Sequence, residues 1–382
     1  MNTIHFEHSE LPAEARALQS EVREFLRAEL PPDSAHRHGY SWGGYDRAFT
    51  RKVGARGWIG MTWPRRYGGH ERSALERWVV QEEMLAGGAP AMCHWIADRQ
   101  YGPMFLRFGT EAQREHFLPR MASGEYMFCI GMSEPDAGSD LAAVRTKAVR
   151  VDGGWELHGT KVWTSGAHLA DFMVALVRSG GPQAQKHAGL SQFLVDLKSP
   201  GVKISPIIDL LGNHHFNEVH FDGCFVPDER MIGAEGEGWK QVTSELAFER
   251  SGPDRYLASI RLLFELIRHA GKEPDARTAV AIGKLVAQLS TLRQMSLSVA
   301  AMLQAGRDPA IEAAVVKDVG TQHEQSLPEV VHEVLGVEPR VRSGADLERA
   351  QAWIVAHAPS FTIRGGAREV IRGIIARGLG LR

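Results

Sequence analysis

Two neighbouring stretches decide how this 382-residue chain is read: GMSEPDAGSD (131–140) and VRVDGGWELHGTKVWTSG (149–166). The second alternates β-branched or aromatic residues with polar ones. It reads as strand, turn at Asp152-Gly153-Gly154, strand, tight turn at His158-Gly159, strand. The texture continues outward through DFMVALVRS (171–179), LSQFLVDL (190–197), VKISPI (202–207) and NEVHFDGCFVP (217–227), short runs broken by Gly, Pro and Asp. Residues 127–236 are therefore expected to form an antiparallel β domain.

Both flanks are helical. Ala15, Leu18, Val22, Phe25, Leu26 and Leu30 recur at helical spacing over 11–30, and Pro31-Pro32 ends the run. Helices are predicted over 71–86, around Trp78, Val79 and Leu85, and over 111–122, opened by Thr110. Beyond Gly236-Glu237-Gly238-Trp239 the pattern predicts helices over 237–270, 275–305, 309–336, 343–357 and 364–378. The fold class is α+β multidomain, with domains at 1–126 (helical), 127–236 (antiparallel β) and 237–382 (helical). The order α, β, α without βαβ alternation argues against a doubly wound sheet. GAEGEGW (233–239) has the wrong spacing and context for a dinucleotide fingerprint.

Charge removes further classes. Lys+Arg 44 against Asp+Glu 46 leaves a net −2, so no global positive field is available for nucleic acid. Cys93, Cys129 and Cys224 form no CxxC pair and read as small buried hydrophobes of a reducing compartment. No run approaches the ~20 apolar residues of a membrane span. The acidic N-terminal segment lacks a leader's apolar stretch, so a cytoplasmic location is expected. No metal-ligand spacing occurs among the histidines.

The first stretch reads as a hydroxyl-lined turn at a strand end, with Ser133 and Ser139 on it and Gly138 allowing close backbone approach. Trp163 and Ser165 would lie on a neighbouring strand, a flat aromatic wall beside a hydroxyl. Taken singly, each segment is equally well a tight β-turn or a core tryptophan. Together they resemble the acyl-CoA dehydrogenase family. The likeness runs on through GWIGMTWPRRYGG (57–69), FGTEAQREHFLPRMASGE (108–125) and GGAREVIRGIIARGLGL (365–381). The resemblance implies an N-terminal helical domain, a middle β domain and a C-terminal four-helix bundle, with FAD between the last two. It further implies that Met132, Ser133, Gly138, Ser139, Trp163, Thr164 and Ser165 bind the flavin, and that Ser139 meets the pantetheine-phosphate end of coenzyme A. Arg250 is implied on the substrate side.

The implied reaction removes an α-proton from an acyl thioester while the β-hydride passes to flavin N5. A carboxylate does this only in a dry site that raises its pKa and stabilises the enolate oxygen. Many members carry this base in a Tyr-Glu-Gly-Thr-like segment. Here the matching stretch is Ile363-Arg-Gly365-Gly-Ala367, and Gly365 stands in place of the Glu. Its backbone N–H can still serve the thioester carbonyl. Other members place the base in a helical Glu-Arg pair, matched here by Glu249-Arg250 behind the apolar Ala247-Phe248. Glu369 is the competing acid, but its place early in the last helix is explained by the helix dipole.

The chain departs from the family at two segments that reach a neighbouring subunit's FAD. An Arg-x-x-Phe-Gly segment is absent near Lys272–Thr278, and a Gln-x-x-Gly-Gly-x-Gly stretch is reduced to His332–Val337. A heteromeric enzyme, similar to the α2β2 acyl-CoA dehydrogenases of steroid side-chain breakdown, is therefore expected. The partners implied are an acyl-CoA, an electron-transfer flavoprotein and a homologous subunit in a dimer or tetramer. Alternatives on the same fold are an oxidase or flavin monooxygenase, and a non-catalytic subunit that completes another chain's FAD site.

Overall fold

The computed structural model describes residues 3–30, 43–180 and 187–381, with the backbone alone for 245–249. The stop expected at Pro31-Pro32 lies outside the described residues. The helices are α1 (Ala13–Glu29), α2 (Arg47–Ala55), α3 (Ala74–Ala86), α4 (Met92–Ile96), α5 (Gly102–Phe108), α6 (Glu111–Ala122), α7 (Gly238–Glu249), α8 (Ile260–Ala270), α9 (Ala276–Gln304), α10 (Ala310–Leu335), α11 (Asp346–Phe361) and α12 (Arg368–Gly378). The strands are β1 (Phe128–Gly131), β2 (Lys147–Val151), β3 (Gly154–Lys161), β4 (Phe172–Arg178), β5 (Leu190–Asp196), β6 (Val202–Ile208), β7 (His214–Pro227) and β8 (Met231–Ile232).

Most predicted helices form close to their expected bounds, because local signals set both ends. Thr110 caps α6 by accepting the Gln113 N–H, while the Gln113 side chain returns to the Thr110 N–H; Ser73 and Glu76 do the same for α3. The single helix expected over 237–270 is instead broken between α7 and α8. Pro253 cannot donate to the ladder and forces Gly252 into an extended conformation, so the chain leaves the helix after Glu249.

The chain divides into two compact units: residues 1–44, 72–91 and 247–382, and residues 45–71 and 92–246. In the first, α1, α3 and α9 enclose a polar girdle. Arg293 grips Glu82 through two bonds of 2.7 and 2.9 Å, Arg23 grips Glu83 likewise, and the Trp78 indole N–H donates to Ser296 Oγ at 2.8 Å. These carboxylates are buried but paired, which is the condition under which burial is tolerated.

The second unit holds the sheet, in the order β6-β7-β3-β2-β4-β5-β8, with β1 against β4. Two expectations are corrected here. The sheet is mixed, since β1 pairs parallel with β4 and β2 meets β4 in parallel at Lys147–Arg178. Alternation along a strand shows which face is buried, not which partner the strand takes. The tight turn expected at His158-Gly159 is a β-bulge inside the continuous strand β3, where the register against β7 shifts between Leu157 and His158. Gly159 is close-packed there: a Cβ would lie 2.6 Å from Thr146 Oγ1. Strands β4 and β5 are buried along nearly their whole length, which explains their unbroken apolar runs.

Two buried histidines make stability depend on pH. Burial pushes His94 in the second unit down to about 4, with the Asp98 charge opposing, and burial pushes His323 in the first unit down to about 4. Both rings therefore fold neutral, whereas the unfolded chain takes up those protons near pH ~6.5. Stability from this source is present above ~6.5 and is lost as pH falls towards about 4. Thermal melts are expected to show Tm falling progressively below about pH 6.5, with a shallower fall in His94→Gln.

Candidate active site

The segment after β1 folds into a tight turn in which the Glu134 N–H donates to Ala137 O (2.9 Å) and the Ala137 N–H returns to Glu134 O (3.1 Å). Pro135 presets the bend. The Glu134 side chain points inward and accepts the N–H groups of Arg145 (2.6 Å) and Thr146 (2.9 Å), which closes the loop on itself. From the end of β3, Lys161 Nζ donates to Glu134 Oε1 at 2.8 Å, to Met132 O at 3.1 Å and to Leu176 O on β4. Burial raises the Glu134 carboxyl, but the Lys161 charge and the two backbone donors outweigh it and hold it below the ordinary range. Burial lowers Lys161 to about 8 against the pull of Glu134, so both groups are charged at neutral pH.

On this base the predicted residues are placed as follows. Met132 is half-buried against the cluster of Ala137, Val144, Leu176, Leu190 and Val242. The Ser133 carbonyl accepts the Val162 N–H at 2.9 Å, tying the loop to the chain leaving β3. Gly138 and Ser139 are exposed, and a Cβ on Gly138 would meet nothing within 4 Å. Neither a left-handed backbone nor internal packing requires glycine there.

Trp163, Thr164 and Ser165 lie in the turn after β3, not on a strand as expected. Trp163 takes φ +60, a left-handed conformation that costs a bulky residue roughly 1–3 kcal/mol. Its indole is 60% exposed, with only an edge against Phe216 at 5.8 Å between centroids. Its neighbours are pinned on both sides: Val162 N–H on Ser133 O, and Thr164 N–H on Asn217 O at 3.0 Å. Thr164 Oγ1 is buried and has no hydrogen-bond partner among the described residues.

In the first unit, Gly365 and Gly366 adopt φ +70 and +105. A Cβ on Gly365 would sit 3.2 Å from both terminal nitrogens of Arg255, a guanidinium only 2% exposed that also meets Asp254 at 3.2 Å. Arg250 Nε donates to Gly365 O at 3.3 Å. Lys317, wholly buried, donates to Phe361 O (3.3 Å) and Thr362 O (3.0 Å), and burial together with Arg255 and Arg364 pushes it down to about 7. Arg364 in turn pairs with the buried Glu324. The backbone of Glu249 ends α7, but its side chain, with those of Ala247 and Phe248, lies outside the described residues. Glu369 is exposed in the first turn of α12. Cys93, Cys129 and Cys224 are all buried, as small hydrophobes would be. Sequence reasoning missed Lys161, Glu134, Arg255 and Lys317 as organisers. The only local signal was the presence of the first two inside the quoted segments.

The helical, sheet and helical sequence of parts matches a known class. Residues 12–125, 129–224 and 236–380 match the acyl-CoA dehydrogenase N-terminal, middle and C-terminal domain profiles. The chain belongs to the acyl-CoA dehydrogenase family, whose members are FAD-dependent. It is 32% identical to acyl-CoA dehydrogenase FadE29 of Mycobacterium tuberculosis over 96% of both chains. It is 36% identical to FadE34 of the same organism over 85% of this chain but only 44% of that longer protein. Among solved structures, the Tcur3481-Tcur3483 steroid ACAD superposes with TM-score 0.87 at 29% identity, covering 98% of this chain and 99% of that one. The ChsE4-ChsE5 complex from Mycobacterium tuberculosis gives 0.86 at 29%, covering 98% and 100%. The residues present fit a flat group with polar edges: an exposed indole, a buried hydroxyl without a protein partner, and open space at Gly138.

The Lys161–Glu134 pair makes a quantitative prediction. Lys161→Met leaves a buried carboxylate without its cation and is expected to cost about 3–5 kcal/mol. In urea denaturation, the double variant Lys161→Met/Glu134→Gln is expected to lose clearly less than the sum of the singles. Strict additivity would show that the two groups are not a coupled pair.

Proposed function

We propose that the chain dehydrogenates an acyl-coenzyme A thioester across its α,β bond, acting on a branched, bulky or steroid-side-chain acyl group. The observation that carries this reading is the Trp163 turn, strained, exposed and pinned on both sides beside the orphan Thr164 hydroxyl. Met132, Ser133, Thr164 and Ser165 would hold the polar edge of the isoalloxazine and Trp163 would cover its face, while Gly138 and Ser139 leave room for the pyrophosphate and pantetheine end. FAD, when bound, supplies the two-electron acceptor for the β-hydride.

Glu249 is the proposed base. Its support is the absence of a side chain at Gly365, where the left-handed φ and the Arg255 guanidinium at 3.2 Å from a Cβ both disfavour one. The Gly365 N–H would donate to the thioester carbonyl. Arg250 and Arg255, both buried close to Gly365, would lower the cost of negative charge developing on that oxygen. An electron-transfer flavoprotein is the proposed acceptor, and a cytoplasmic location accords with the absence of any membrane-length apolar helix among the described residues. We retain domain boundaries near 126 and 236.

A heteromer is the proposed assembly. The two segments that depart from the family both form helix ends: Asp275 caps α9 through the N–H groups of Arg277 and Thr278, and Gly336 closes α10 in the left-handed conformation. The ChsE4-ChsE5 complex shows that a relative of this fold assembles with a second chain.

Glu249→Gln should retain FAD yet lose at least ~10²-fold of the anaerobic flavin bleaching rate on addition of acyl-CoA. Retained turnover in that variant would remove Glu249 as the base. Co-expression with a homologous acyl-CoA dehydrogenase chain is expected to yield a mixed oligomer, and a yellow, active homotetramer of this chain alone would overturn the heteromer.

A further inference from the structure

The chain leaving β3 is also held by a cluster of His168, His214 and Asn217. The rings of His168 and His214 stack 3.6 Å apart at an angle of 13°. Both reach the same atom, Oδ1 of Asn217: His168 Nδ1 at 3.1 Å and His214 Nε2 at 2.7 Å. A carboxamide oxygen only accepts, so each of those two ring nitrogens must carry its proton. The orientation of the amide is set on its other side, where the Thr164 carbonyl can only accept and so must face Nδ2. The remaining end, Nδ2, donates to Thr164 O at 3.0 Å.

Asn217 is completely buried on β7. Its backbone carbonyl accepts the Thr164 N–H while its side chain donates to the Thr164 carbonyl, so one residue grips both backbone polar groups of Thr164, the residue after Trp163. Next along the chain, the Gly166 N–H donates to His215 O at 2.9 Å. A left-handed tryptophan persists only where its surroundings over-determine it. On the N-terminal side a single bond, Val162 N–H to Ser133 O, does this; on the C-terminal side it is the Asn217 grip. Burial pulls the His168 ring down and the His214 ring across the stack adds to the effect, against the Asn217 hydrogen bond, which raises it.

We propose that Asn217, oriented by the stacked His168–His214 pair, is a positioning residue for the flavin-facing turn: it sets the angle of Trp163 and aims the orphan Thr164 hydroxyl. The proposal rests on Trp163–Ser165 being the flavin turn.

The test uses the enzyme purified with FAD. Asn217→Asp keeps the acceptor for both histidines and removes the donor to Thr164; Asn217→Leu removes both. The readouts are the visible circular dichroism of bound flavin at saturating FAD and well below Tm, the FAD dissociation constant, and the far-UV spectrum. Both variants are expected to change the flavin dichroism and to weaken FAD about tenfold or more, because a buried carbonyl loses its partner. His214→Gln, whose amide N–H can replace Nε2–H, is expected to keep the wild-type flavin signature, whereas His214→Ala is expected to lose it. If Asn217→Leu does not fold, Asn217→Asp decides alone. Wild-type dichroism and FAD affinity in Asn217→Asp would overturn the proposal, as would equal loss in His214→Gln and His214→Ala. Trp163→Phe is the control on the underlying reading. If it leaves the flavin dichroism untouched, the turn does not face flavin and the proposal falls with that reading; if Trp163→Phe perturbs the flavin and the Asn217 variants do not, the proposal alone fails.

Discussion

Lys161 carries a charge into the interior of the sheet unit, and Glu134 is placed to receive it. Neither would be tolerated alone, since an isolated ion at that depth costs several kcal/mol. Paired, they bring three segments to one point. Glu134 gathers the N–H groups of Arg145 and Thr146, which set the course of the loop back to β2. Lys161 gathers the carbonyls of Met132 and of Leu176 on β4. Between Pro135 and Asp140 only Ala137 is buried, so the shape of this stretch depends on that residue and on these two buried ends.

The strained turn two residues beyond Lys161 inherits that rigidity. Trp163 could relax into an extended conformation if either neighbour were released. It is held because Val162 is bonded to the loop that Lys161 and Glu134 anchor, and Thr164 to Asn217. The other unit solves a similar problem differently. Gly365 adopts the left-handed region, which favours glycine, and a Cβ there would also be tight against the buried Arg255 guanidinium at 3.2 Å. The carbonyls leading into that turn end on Lys317, a buried amine among the charges of Arg255, Arg364, Asp318 and Glu324.

What could be read in advance follows from the range of each signal. Thr110, read as the opening residue, announced α6 correctly, and the structure adds Gln113 three residues on as the other half of the cap. The apolar periodicity of 11–30 likewise located α1. Periodicity overran Pro253 because helical spacing persists on both sides of it, whereas the break depends on one missing N–H. His158-Gly159 reads as a turn in the sequence because glycine often marks one. Whether a glycine in a strand bends the chain or makes room for a neighbour depends on what lies opposite, here Thr146. Met132, Ser133, Gly138, Ser139 and Trp163–Ser165 were named as flavin residues through family likeness; spacing by itself left a plain turn open. Glu134 and Lys161 were in view within the same segments, but nothing local shows that they meet.

By itself the sequence determined the order of helical, sheet and helical parts and most helix bounds, since caps and hydrophobic period act between residues a turn or a pleat apart. Tertiary structure alone decided the parallel pairing of β1 with β4, the left-handed Trp163 and the burial of Arg255 against Gly365. The decisive contacts join residues 27, 53 and 115 positions apart: Lys161 to Glu134, Asn217 to Thr164 and Arg250 to Gly365. Over such separations a charge or an amide in the chain does not specify its partner. The partner is settled when the sheet register and the helix packing bring the two together.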